Sequence, residues 1–200
     1  MNLPESSHYE QPPAGTHTAI CCAFIDLGTQ PNEYQGETKM QHQVVLRWEL
    51  PGELMEDGRP FTIGQFYTWS MNEKAKLRQH LEAWRNAPFK DEDLGPKGAF
   101  NTKNLLGKPC TLVVIHNEKG NARVASVGMK MKGVEAGDPV NEPIYVALTA
   151  VDFEPAQLDK LSDRFKEIVK RSPEYLTVTG RGNGYAKETF AADIDDEIPF

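Results

Sequence analysis

The chain's 200 residues carry 39% hydrophobic and 26% charged side chains, an ordinary globular balance that excludes a fully disordered chain and suits one core with appendages. The net charge of −7 speaks against a uniformly basic nucleic-acid binder, yet four of those charges come from residues 186–200, where Glu188, Asp193, Asp195, Asp196 and Glu197 face only Lys187. No run approaches the roughly 20 apolar residues of a membrane span, and the polar start from Met1 to Ser6 lacks a secretory pattern, so a cytoplasmic protein with no membrane partner is expected.

Residues 1–15, with Pro4, Pro12, Pro13 and Gly15, show no periodicity and read as a flexible arm. A first strand is expected over Thr16–Leu27, followed by turn residues from Gly28 to Thr38. In the second strand Val44, Leu46 and Trp48 alternate with Val45, Arg47 and Glu49, which predicts one apolar face and one wet face. After turn signals at Pro51-Gly52 and Asp57-Gly58, residues 61–70 read as a third strand. Asn72 is placed to cap a helix over Glu73–Arg85, with Ala75, Leu77, Leu81 and Trp84 near helical spacing. Two further strands, Cys110–His116 and Ala122–Lys132, are joined by a turn-rich loop at residues 117–121.

This order of elements is the layout of a five-stranded OB-fold barrel with a helix between strands 3 and 4, an α+β chain that is mainly β. Residues 16–153 form that domain, with an added strand expected within Ile144–Phe153. Residues 154–176 form a C-terminal helical extension, in which Leu158, Leu161, Phe165, Ile168 and Val169 share one face of a helix from Ala156 to Lys170. That face suits packing on the barrel or a homo-oligomer interface. Residues 177–200 read as a flexible linker and a disordered acidic tail. Cys21, Cys22 and Cys110 are odd in number and lack a C-x-x-C pair, so buried free thiols are expected.

The chain ends Asp195-Asp196-Glu197-Ile198-Pro199-Phe200, an acidic run closed by an apolar triplet, where bulk charge alone would need no aromatic. This end resembles the tip of bacterial single-stranded DNA-binding proteins. The resemblance implies a peptide that docks replication, recombination or repair proteins. A second resemblance rests on Tyr67-Thr68-Trp69-Ser70-Met71, Glu73-Lys74-Ala75-Lys76-Leu77-Arg78, Leu81-Glu82-Ala83-Trp84-Arg85, Pro88-Phe89 and Leu105-Leu106-Gly107-Lys108-Pro109-Cys110. Across roughly Pro13 to Gly133 the chain is similar to a family of bacteriophage OB-fold single-stranded DNA-binding proteins. It implies that fold and activity, and a host-cell cytoplasm if the protein is phage-encoded.

Sequence-tolerant binding of single strands needs stacking rings and cations along one groove. Tyr67 and Trp69 share a face of the third strand, Arg47 lies opposite the apolar set of the second, and Lys130 and Lys132 share a face of the fifth. Lys119 and Arg123 lie in the adjoining hairpin, and Lys74 lies in the helix. These eight residues are the candidate DNA contacts. Phe24, Trp48 and Trp84 fall on apolar sides and read as core. No Walker loop, H-E-x-x-H or G-x-S-x-G occurs and the five histidines lack ligand spacing, so no catalytic residue, cofactor or metal is expected. The alternative is an OB-fold adaptor of the replication machinery with no DNA groove of its own.

Overall fold

The computed structural model describes residues 10–34, 36–94 and 100–181. Six strands form one sheet: β1 (Gly15–Tyr34), β2 (Glu37–Leu54), β3 (Pro60–Thr68), β4 (Pro109–His116), β5 (Ala122–Gly128) and β6 (Ile144–Val146). Among the described residues five α-helices accompany them: α1 (Lys76–Arg85), α2 (Asp91–Leu94), α3 (Pro155–Asp159), α4 (Asp163–Lys170) and α5 (Pro173–Val178). The strand path is β3-β2-β1-β4-β5, with β6 parallel to β1 at Ala23–Ile25 and every other pairing antiparallel.

The sheet is open and six-stranded, which corrects the expected closed five-stranded barrel. The end strands β3 and β5 approach each other but share no ladder. The reason lies in α1, which packs against both and seats Leu77, Leu81 and Trp84 in the core. Side chains rather than backbone hydrogen bonds fill that side.

Strand β1 is much longer than expected, because the turn residues after Leu27 continue it to Tyr34 opposite Glu37. Two register shifts, at Cys21/Ala23 and Asp26/Gly28, bend it so that its first part pairs with β4 and its later part with β6. Gly28 is therefore a bulge residue and not a turn. Its φ is +68°, and a Cβ there would lie 2.5 Å from Ser172, so glycine lets α5 approach the strand.

Both faces of the sheet are buried. On one side Phe24, Val44, Leu46, Trp48, Ile63 and Leu112 meet α1. On the other, Ala23, Ile25, Leu27 and Val45 meet β6 and the C-terminal helices. The predicted wet face of β2 is thus corrected: Val45 and Glu49 are fully buried. The alternation of Val45, Arg47 and Glu49 marked a second interface carrying polar groups. Glu49 is satisfied there by the Val140 and Asn141 backbone N–H groups (2.9 and 2.8 Å) and by Asn141 Nδ2 (2.6 Å).

The predicted late helix is three short ones. Ser162 and Ser172 stand in extended conformation before α4 and α5, and Ser172 Oγ accepts the Tyr175 N–H at 3.2 Å, with Pro173 next in the chain. The Ser172 cap and Pro173 set α5 off from α4, but the apolar stripe survives: Leu158, Leu161, Phe165, Ile168 and Val169 are all buried. α1 likewise starts at Lys76 and not Glu73, because the Lys74 N–H bonds Asn72 Oδ1 in a preceding turn. Part of the expected flexible arm is docked: His116 Nε2 pairs with Pro12 O at 2.8 Å, and Gln11 Oε1 accepts the Ala122 N–H at 3.0 Å. The three cysteines are free and buried. No described helix is long and apolar enough to cross a membrane.

Candidate nucleic-acid interface

Alternation along β3 placed Tyr67 and Trp69 on one face, and the structure separates their roles. Tyr67 is 4% exposed in the core, and its hydroxyl meets His80 Nδ1 at 2.8 Å. Burial pushes its pKa well up. It presents no ring face to a base, which removes it from the candidate contacts. Trp69 follows the last residue of β3 and is 38% exposed, anchored by its N–H to His42 O at 2.7 Å. Trp48 and Trp84 are buried, so Trp69 is the solvent-facing tryptophan of the three in the chain.

The ring beside Trp69 comes from elsewhere in the sequence. Phe24 of β1 meets Trp69 edge-on with centroids 5.9 Å apart, and Tyr145 of β6 stacks on Phe24 at 5.5 Å. The Tyr145 hydroxyl contacts Thr102 Oγ1 at 2.9 Å, and Lys103 Nζ lies 5.6 Å from its ring centre. An aromatic row with a cation at one end thus joins β3, β1, β6 and the 3-10 turn Thr102–Leu105. No spacing in the sequence marks Tyr145 or Lys103, because the pairing of β6 with β1 spans more than a hundred residues.

The predicted cations do not form one line. Lys74 is exposed in the turn before α1, and Lys119 is exposed in the β4–β5 loop. Arg123 is half-buried on β5. Lys130 and Lys132 lie beyond the end of β5 at Gly128, correcting their placement on a strand, and Lys130 is 3.8 Å from Glu135. Arg47 lies half-buried on β2, on the face shared with Val45 and Glu49. The tip residues Asp195 to Phe200 lie outside the described residues. Among the described residues, no group of three or more His, Cys, Asp or Glu side chains is arranged to hold a metal.

Two histidines flank this region with opposite electrostatics. His42 is partly desolvated, which lowers its pKa, but its 2.6 Å contact with Asp26 and the nearby Glu174 carboxylate outweigh this and raise it above 6.5. His80 is pushed down to about 4, first by desolvation and then by Lys76. Folding therefore favours proton uptake at His42 and proton release at His80. The His42 contribution is complete below about pH 6.5 and fades as pH rises through its folded pKa; that of His80 is complete above about 6.5 and is lost towards about 4. In a pH titration followed by NMR, the two imidazoles are expected to titrate on opposite sides of 6.5. Coincident curves would contradict the packing described for both.

No protein-family model matches the sequence, and a search of the curated proteins finds no match.

Proposed function

We propose that the chain binds single-stranded DNA without strong sequence preference, coats and protects it during replication, recombination or repair, and recruits partner proteins through its acidic Ile-Pro-Phe end. The observation that carries this reading is the exposed Trp69 at the end of β3, set in an open, mainly antiparallel sheet whose β3-β2-β1-β4-β5 path we read as a partly open OB fold. An exposed indole beside further rings suits bases of any sequence, since every base has a π-face. The recruitment part rests on Asp195, Asp196, Glu197, Ile198, Pro199 and Phe200 alone. In this reading the protein works without catalysis, cofactor or metal.

The helices α3–α5 support a second reading. They cover the outward side of β1 and β2, and strands 2 and 3 are where OB folds hold oligonucleotides. Together with the net charge of −7, this favours an adaptor that binds proteins only. Titrating the intrinsic fluorescence with an oligothymidine and with a duplex of equal length separates the two. Quenching by the single strand alone, with a log–log salt slope near −0.7 per phosphate contacted, supports DNA binding. Absence of binding at low salt, by full-length and tail-deleted protein alike, assigns the adaptor role.

A further inference from the structure

Arg47 lies half-buried on the Val45 and Glu49 face of β2, between Ala23 of β1 and Gly64 of β3 in the strand register. Neither neighbour has a side chain beyond Cβ, so the guanidinium lies over the sheet with little bulk on either side. It lines a cleft of about 360 Å3 together with Cys22, Arg59, Phe61, Thr62 and Asn141, a volume within the usual range for small-ligand sites.

Two of the other charged side chains of the cleft are ion-paired, and Glu10 meets a backbone amide. Glu10 accepts the Glu56 N–H at 3.1 Å, Glu142 holds Lys160 Nζ at 2.5 Å, and Arg59 contacts Asp57 at 2.6 Å. Glu49, two residues along the strand, is committed to Val140 and Asn141. Arg47 has no carboxylate within ion-pair distance among the described residues, and its Nε is buried without a hydrogen-bond acceptor. A buried guanidinium N–H left without an acceptor is costly, and a ligand oxygen that fills the position recovers that cost.

We propose that this cleft is a phosphate site, with Arg47 donating from its planar fork to the phosphate oxygens and Thr62 lying in the same wall. With Arg47 of β2 and Phe61 and Thr62 of β3 in the walls of the cleft, the phosphate is assigned as a backbone phosphodiester of the bound single strand; this step rests on the DNA-binding reading above.

The test follows the Arg47 Nε–H resonance of 15N-labelled full-length protein while oligothymidine, thymidine monophosphate or inorganic phosphate is added. Oligothymidine is expected to shift it, and Arg47→Met is expected to lower oligothymidine affinity about tenfold and flatten the salt slope by about 0.7, with Arg47→Lys in between. The wild-type resonance answers the question even if the methionine variant folds poorly. A shift with the two small phosphates but none with oligothymidine overturns the strand contact and leaves a small-phosphate site. No shift with any probe, while Trp69 fluorescence still reports oligothymidine binding, overturns the phosphate site and leaves the DNA-binding reading standing. Loss of both signals removes both.

Discussion

Replacing Trp69 by alanine is expected to weaken oligothymidine binding by about 5- to 150-fold, the equivalent of the roughly 1–3 kcal/mol that a stacking ring contributes per base. The same change should cost about 1 kcal/mol of stability or somewhat more, because the partly exposed indole meets the buried Phe24 edge-on. Tyr67→Phe is the matched control. It removes a hydroxyl that meets His80 in a buried site, so it should cost about 1 kcal/mol of stability and leave affinity unchanged. Fluorescence anisotropy of a labelled oligothymidine measures the affinities, and urea unfolding measures the stabilities. If Tyr67→Phe weakened binding while Trp69→Ala did not, the assignment of these two rings would be reversed.

Truncation after Glu154 is expected to leave a chain that does not fold. The removed segment carries Leu158, Leu161, Phe165, Ile168, Val169 and Tyr175, all buried against the back of the sheet. At about 1.5–3 kcal/mol for each large apolar side chain, the lost burial is on the order of 10 kcal/mol, comparable to the whole stability of an ordinary domain. The cut also uncovers Ala23, Ile25, Leu27 and Val45 and removes Glu174, which accepts the Thr29 N–H at 2.8 Å and bonds its hydroxyl. Circular dichroism and a 15N correlation spectrum of residues 10–154 would show this directly. A dispersed spectrum with a cooperative urea transition would instead support residues 16–153 as a self-sufficient domain.

The second expectation differs from the sequence-level division because that division came from local pattern. The stripe from Leu158 to Val169 announced that the helices bury one face, and they do. It carried no information about which surface receives them. The partner surface is the other side of β1 and β2, where Val45 and Glu49 alternate with a stronger apolar set and so look solvent-facing. A charged residue in an alternating strand is compatible with water or with a buried acceptor site, and only the chain segment at Val140 and Asn141 decides between them.

The same distinction runs through the interface. Strands, the helix before β4 and the buried Phe24, Trp48 and Trp84 were legible, since each depends on periodicity within a few residues. Tyr67 and Trp69 were legible only as a pair on one face. Their different burial follows from α1, whose His80 reaches back to the Tyr67 hydroxyl, and from the end of β3 at Thr68. The length of β1 was hidden because Gly28 and Pro31 read as turn residues; a bulge and pairing to Met40 absorb them into the strand.

What the sequence determined by itself was local: where the chain alternates or turns, which helical stripe is apolar, and that the acidic charge gathers at the end with Ile198, Pro199 and Phe200. What only the tertiary structure decided was long-range: that the sheet stays open, that it is buried on both faces, that Tyr145 joins the row beside Trp69, and that Arg47 lines a cleft with its Nε unpartnered among the described residues. The reason is physical. Periodicity reports that a side chain leaves water, whereas the identity of what replaces the water depends on contacts between segments far apart in the chain, and those are fixed only when the whole core packs.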